Sequence, residues 1–100
     1  MRYDKLVRDK IPAIIKEKGG TPITHVADDK EYWEKLKEKL QEEVDEFIES
    51  ETIEELADIE EVLEAIMNYK NFSRDELQEA KDEKAEERGA FNERIILEES

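Results

Sequence analysis

The sequence contains no cysteine, and its 100 residues include only two prolines, three glycines and 7% aromatic residues. Without cysteine, the chain can form neither a disulfide framework nor a thiolate zinc site. No apolar run approaches the roughly 18 residues of a membrane span, and none begins as a signal peptide does. No low-complexity linker divides the chain, so residues 1–100 are predicted to form one domain of a soluble, cytoplasmic protein without a membrane partner.

Basic residues are absent from one long stretch. Residues 41–69 contain twelve Asp or Glu and no Lys or Arg, and they carry most of the net charge of −14. This acidity argues against a nucleic-acid polymer as partner, because affinity for phosphate backbones comes from clustered Lys and Arg. The like charges repel one another unless something positive offsets them, which favours a bound cation. The hydrophobic content of 37% predicts a thin core and therefore a homodimer or higher homo-oligomer.

Helical periodicity predicts an all-α fold. Apolar residues recur at intervals of three and four in segments 29–49 and 53–69, and the turn between them is short enough to make two long helices antiparallel neighbours. Shorter helices are predicted at 12–18 and from Ser73 to about Glu87, before Gly89. The expected architecture is an antiparallel helix bundle. Segment 21–27 is predicted as an extended connection or edge strand, and segment 91–97 as a short strand or arm.

Two carboxylates interrupt the apolar stripes of the long helices. Glu43 and Glu55 each lie four residues before an apolar residue of the stripe, which predicts that both point toward the buried face. Glu46 and Asp58 follow at three-residue spacing and flank them. Four carboxylates facing one another in a partly buried seam are unfavourable unless they are compensated, because removing a charge from water costs several kcal/mol. The pattern therefore predicts a divalent cation held by these four residues.

The kind of cation follows from the ligands. All the candidate ligand atoms are carboxylate oxygens, and the single imidazole, His25, lies far away in the extended connection. Oxygen ligands favour Mg²⁺, or Mn²⁺, over zinc and copper, and no calcium-binding EF-hand loop occurs. The alternative is that the acidic residues form an ordinary solvated helix face, which is the more frequent fate of such clusters. Glu43 and Glu55 weigh against it because they break the apolar pattern.

Cations replace apolar residues on the last helix. Lys81, Lys84 and Arg88 follow one another at helical spacing, and they are predicted either to hold the phosphates of a metal-bound substrate or to form salt bridges between helices. Lys39 lies one turn before Glu43 and is open to the same two interpretations. Three aromatic residues are predicted to belong to the core rather than to stack on a nucleobase: Trp33, Tyr32 and Phe91.

The carboxylates carry a resemblance to a known family. Glu42, Glu43 and Glu46, followed by Glu55 and Asp58, match the E-E-x-x-E … E-x-x-D signature of the MazG-like all-α nucleoside triphosphate pyrophosphohydrolases, relatives of phosphoribosyl-ATP pyrophosphohydrolase. The opening YDKLVRDKIP, residues 3–12, and the closing ERGAFNERIIL, residues 87–97, are similar to the ends of the small stand-alone, house-cleaning branch of that family. The resemblance spans nearly the whole chain.

The resemblance implies a magnesium-dependent enzyme that converts a nucleoside triphosphate, including non-canonical ones, into the monophosphate and pyrophosphate. It implies an oligomer with the metal on Glu43, Glu46, Glu55 and Asp58. Glu42 matches the first position of the signature but lies off the apolar stripe, and it is expected either to support the metal ligands from outside or to orient the attacking water as a base, with Glu43 as the other catalytic residue. The substrate-binding residues implied are Lys39, Lys81, Lys84 and Arg88, together with Arg8. The alternative is a non-catalytic acidic helical module that binds a nucleotide or a protein.

Overall fold

A computed structural model of the chain describes residues 4–100. Within this range the fold consists of helices without a strand, which confirms the predicted all-helical class. Tyr3, the first residue of the N-terminal motif, lies outside the described residues. The four helices are α1 (Ile11–Glu17), α2 (Asp29–Ser50), α3 (Ile53–Lys70) and α4 (Arg74–Arg88).

Side-chain caps start the three longer helices where the sequence predicts them. Asp28 accepts a hydrogen bond from the backbone N–H of Glu31 at 2.8 Å and starts α2. Thr52 and Ser73 cap α3 and α4 in the same way. Glu51, with a φ of 55°, ends α2 in the left-handed conformation, so only two residues separate α2 from α3. This tight turn folds α3 back along α2.

Helices α2 and α3 pack against each other in antiparallel fashion. Tyr69, near the end of α3, lies edge-on to Tyr32 near the start of α2, with 5.8 Å between ring centroids. Tyr69 also stacks on Trp33 at 5.2 Å, and the ammonium of Lys70 lies 4.4 Å from the Trp33 ring centroid. The contacts of Trp33 in the described chain are thus with its own aromatic and lysine neighbours, as expected of a packing residue.

The buried core is small. The apolar residues that lose nearly all contact with solvent are Leu36 on α2 with Val62 and Met67 on α3, and the one charged residue among the buried side chains of the described range is Glu43. Neither α1 nor α4 contributes a buried residue. The core therefore lies almost wholly between α2 and α3, and α4 adds a half-open cleft of about 300 Å³ beside Leu63, Met67 and Leu77.

Both apolar segments outside the helices are exposed and irregular. Ile23 and Val26 in segment 21–27 and Phe91 in segment 91–97 are almost fully accessible. The prediction that Phe91 belongs to the core is therefore wrong, since 96% of the residue is exposed. Neither segment pairs as a strand in the part of the chain described, because neither has a strand beside it to share backbone hydrogen bonds. Of the alternatives that the sequence left open, the extended connection and the arm are the ones observed. No helix of residues 4–100 combines the length and the apolar character needed to span a membrane.

Candidate metal centre

Antiparallel packing brings carboxylates from both long helices together. Glu43 on α2 and Glu55 and Asp58 on α3 each direct a carboxylate oxygen to a common region, where the three oxygens lie within 4.8 Å of one another. Glu43 belongs equally to a second group with Glu42 and Glu46, defined by the same separation. We refer to these five residues as the acidic cluster. Of the four metal ligands predicted from the sequence, Glu43, Glu55 and Asp58 share one group, and Glu46 belongs to the other.

Two oxygens of the acidic cluster are buried and have no hydrogen-bond partner. They are Oε2 of Glu43 and Oε2 of Glu55. Glu43 is only 5% exposed, whereas Glu46 lies at the surface. Leaving a buried acceptor without a partner costs about 1–3 kcal/mol, and more when the group is charged. A cation between the helices would remove this cost by accepting both oxygens as ligands.

Lys39 compensates part of the charge on the α2 side. Its ammonium lies 3.2 Å from Oε1 of Glu43, one turn away, and 3.4 Å from Oε2 of Glu42. Burial raises the pKa of the Glu43 carboxyl above its ordinary value, although Lys39 opposes this shift. The neighbouring charge of Glu46 raises it further. A second positive charge beside Glu43 would offset this effect of burial and favour its ionised form.

Glu42 has the opposite electrostatic environment. Burial alone would raise its pKa, but hydrogen bonds and charges from Lys5 and Lys39 outweigh this and hold the pKa below its ordinary value. The Lys5 ammonium lies 3.1 Å from Oε1 of Glu42. The pKa values of the two adjacent carboxyls are therefore shifted in opposite directions, downward for Glu42 and upward for Glu43.

The N-terminal segment supplies a second cation on the α3 side. Nη2 of Arg8 donates to Oδ1 of Asp58 at 2.7 Å, and Nη1 lies 3.6 Å from Oε1 of Glu61. Helical spacing places Glu61 on the solvent face, so the sequence pattern did not predict the contact of Glu61 with Arg8. The uneven distribution of charge along the chain could have indicated these contacts. Residues 1–40 carry a small excess of positive charge, and the charged residues of 41–69 are all negative.

Three cations of α4, Lys81, Lys84 and Arg88, form no ion pair with the acidic cluster within one chain. Lys81 lines the cleft between α3 and α4 with Glu60 and Glu64, and Lys84 and Arg88 are exposed further along the helix. None of the three forms an ion pair with a residue of the range 4–100. The salt bridge from α4 to α3 is made by Arg74 instead, whose Nη2 lies 3.6 Å from Oε2 of Glu64.

The donor set suits a hard divalent cation. The acidic cluster offers only carboxylate oxygens, which favour Mg²⁺ and Mn²⁺. His25, the single imidazole of the sequence, is engaged elsewhere, with Nε2 2.9 Å from Oε1 of Glu31. The two buried oxygens without partners and the oxygen-only chemistry both fit such an ion, which Glu43, Glu55 and Asp58 would hold across the helices and Glu46 from the surface side.

Comparison with known proteins leaves the family open. No protein-family description matches the chain, and no solved structure matches it significantly. The chain is similar to an uncharacterised protein of Mycolicibacterium smegmatis, with 50% identity over 40 residues. That stretch is 40% of this chain and covers 41% of the length of the mycobacterial protein. The similarity brings no described activity to the chain.

Proposed function

We propose that the protein is a magnesium-dependent nucleotide pyrophosphohydrolase, which hydrolyses a nucleoside triphosphate to the monophosphate and pyrophosphate. The observation that carries the proposal is the pair of buried carboxylate oxygens without partners on Glu43 and Glu55, converging from two helices. The spacing of the acidic residues, which resembles the MazG-like signature, supports the same chemistry. We expect the enzyme to act in the cytoplasm as a homodimer or larger homo-oligomer.

Each residue of the acidic cluster has a role in this proposal. Glu43, Glu46, Glu55 and Asp58 would hold the cation. A bound Mg²⁺ supplies charge neutralisation for the polyphosphate and lowers the pKa of water. Glu42, whose pKa is held down by Lys5 and Lys39, is ionised and can orient the attacking water through a carboxylate oxygen and accept its proton. The water oxygen bonds to the α-phosphorus, and the bond from that phosphorus to the bridging oxygen breaks to release pyrophosphate.

Positive side chains near the acidic cluster would bind the phosphates. Lys39 and Arg8 lie at the acidic cluster within a single chain, and either can donate charge-assisted hydrogen bonds to phosphate oxygens. Phosphate binding by Lys81, Lys84 and Arg88 remains a prediction. It requires these residues to approach an acidic cluster, with which they form no ion pair within a single chain. A second protomer could supply that contact, which links the phosphate contacts of α4 to the predicted oligomer.

The decisive experiment is an assay of pyrophosphate release. Purified protein is given a panel of standard and damaged nucleoside triphosphates with Mg²⁺ or Mn²⁺, and we expect metal-dependent formation of pyrophosphate and monophosphate from at least one. Glu43→Gln serves as the inactive control against contaminating enzymes. Hydrolysis of none of the nucleotides with either metal would refute the enzyme and leave the acidic binding module as the remaining function.

A further inference from the structure

The N-terminal segment 4–10 is tied to both long helices by ion pairs. Lys5 reaches Glu42 on α2, 37 positions along the chain, and Arg8 reaches Asp58 on α3, 50 positions along. Both acceptors belong to the acidic cluster. The segment thus contacts the acidic cluster on both long helices, with one cation at a carboxylate of each helix.

Arg8 makes the closer contact with a predicted ligand. Its guanidinium donates to Asp58 at 2.7 Å while its other amino group lies 3.6 Å from Glu61, so one side chain neutralises parts of two carboxylates. Asp58 also directs an oxygen to within 4.8 Å of the carboxylate oxygens of Glu43 and Glu55. One carboxylate is therefore shared between an arginine and the region where a cation would lie.

The buried side of the acidic cluster is compensated only in part, by Lys39 at Oε1 of Glu43. Oε2 of Glu43 and Oε2 of Glu55 have no partner, which is the independent sign that a cation belongs between them. Arg8 cannot fill this place itself, because its side chain is 55% exposed and its contacts are with the outer acids. Its charge nevertheless lies 2.7 Å from Asp58, which shares a group with Glu43 and Glu55, and would repel a divalent ion held by these carboxylates.

We propose that Arg8 is an exchangeable counter-ion of the metal centre. It pairs with Asp58 when no metal is bound, weakens the binding of a divalent cation in the absence of nucleotide, and turns to an anionic phosphate when a polyphosphate is present. This inference rests on the proposed function. Because a phosphate offers Arg8 a new acceptor, nucleotide binding would relieve the competition at Asp58, so that metal and nucleotide bind cooperatively.

The test is the affinity for Mn²⁺ alone, measured from the electron paramagnetic resonance signal of the free ion. We expect Arg8→Gln to bind Mn²⁺ about three- to tenfold more tightly than the wild type, because a surface ion pair and a nearby like charge are removed. Arg8→Lys, which keeps the charge but loses the planar fork, should fall between them. The matched control is Arg74→Gln, which breaks an arginine–glutamate pair on α3 at Glu64 and should leave the affinity unchanged.

A second measurement follows Arg8 itself. Its side-chain ¹⁵N resonance is assigned by its absence from spectra of Arg8→Gln, and it should move toward the position of an unpaired arginine when Mg²⁺ is added. Addition of a methylene-bridged triphosphate analogue with Mg²⁺ should move it again, toward a phosphate-bound position. An Arg8 signal that Mg²⁺ leaves in place, with saturation of the protein shown separately, would overturn the exchange.

The outcomes separate this inference from the proposed function. Equal or weaker Mn²⁺ binding by Arg8→Gln would overturn the role of Arg8 while the metal centre stands. Absence of Mn²⁺ binding in every variant would overturn the metal centre and Arg8 together. Tighter binding by Arg8→Gln without pyrophosphate release from any nucleotide would support the counter-ion and refute the hydrolase.

Discussion

Two groups of basic residues, both predicted from the sequence to bind phosphate, have different surroundings in the structure. Lys5 and Arg8, in an irregular segment, pair with carboxylates of α2 and α3. Lys81 and Lys84 lie on a regular helix at the expected spacing, yet neither forms an ion pair in the described part of the chain. Helical spacing shows which residues share a face, but it does not show what lies opposite that face.

Burial explains the difference between the two regions. Glu42 and Asp58, the partners of Lys5 and Arg8, are half-buried beside the buried Glu43, so their charges gain more from a counter-ion than those of the exposed Glu60 and Glu64 near Lys81. Helix α4 has no buried residue, and the half-exposed Leu77 is its main apolar contact with the cleft. Its lysines remain solvated and require no counter-ion. Their helical spacing therefore says less about what they contact than the spacing of the buried Glu43 does.

The largest effect is expected at Glu43. Glu43→Gln should lower metal-dependent turnover by about 100-fold or more, since even residues that only support a metal ligand commonly cost 10- to 100-fold. The measurement is pyrophosphate release at saturating Mg²⁺, with circular dichroism to verify the helices. Glu79→Gln, the same substitution on exposed α4, is the control and should retain full activity. Loss of helicity in Glu43→Gln would instead favour a structural salt bridge with Lys39.

The next largest effect tests whether α4 serves another protomer. Replacing Lys81, Lys84 and Arg88 together by Gln should raise KM about tenfold or more if they hold phosphates. Refolding this variant together with Glu43→Gln should then restore about a quarter of the wild-type activity, because a mixed dimer contains one intact site. An unchanged KM would refute phosphate binding by α4, and a stable monomer in sedimentation at micromolar concentration would refute the oligomer.

Stability against pH should distinguish the two adjacent glutamates. The pKa of Glu43 is raised above its ordinary value of 4.5 in the folded state. The folded state therefore holds the proton of Glu43 more tightly, and the free energy of unfolding falls as the pH rises from the unfolded pKa to the folded pKa. The pKa of Glu42 is lowered from 4.5, so its contribution is present above that value and is lost as pH falls through the folded pKa.

Without metal and at neutral pH, Glu43→Gln should be as stable as the wild type or up to about 1 kcal/mol more stable. Glu42→Gln should be about 0.5 kcal/mol less stable, because Lys5 and Lys39 lose a charged partner. Urea unfolding in a chelating buffer across a pH series provides the measurement. A large destabilisation of Glu43→Gln would show that its pair with Lys39 outweighs the cost of burial.

The smallest effect concerns the two arginine pairs on α3. Arg8→Gln should cost about 0.5–1 kcal/mol of metal-free stability, because a close contact with Asp58 is lost. Arg74→Gln, which breaks a longer contact with Glu64, should cost less than about 0.5 kcal/mol. Both are measured by urea unfolding without metal. A larger loss in Arg74→Gln would mean that α4 is attached more firmly than its exposed contacts indicate.

Local chemistry by itself determined the helices and the inward carboxylates. Each cap, at Asp28, Thr52 or Ser73, accepts a hydrogen bond from a residue three positions later. The apolar stripes repeat within two helical turns. Both features can therefore be recognised without knowing the path of the chain. The same periodicity placed Glu43 on the buried face, where the structure has it. Glu46, predicted beside it, lies at the exposed edge of the acidic cluster.

Only the tertiary structure decided which cations meet those carboxylates. The pairs of Lys5 with Glu42 and Arg8 with Asp58 join positions 37 and 50 residues apart, and their formation depends on the course of an irregular segment over two packed helices. A side chain's spacing predicts its face because the helix repeats every 3.6 residues. No such repeat relates a loop to a distant helix, so the counter-charges of the acidic cluster follow from packing alone.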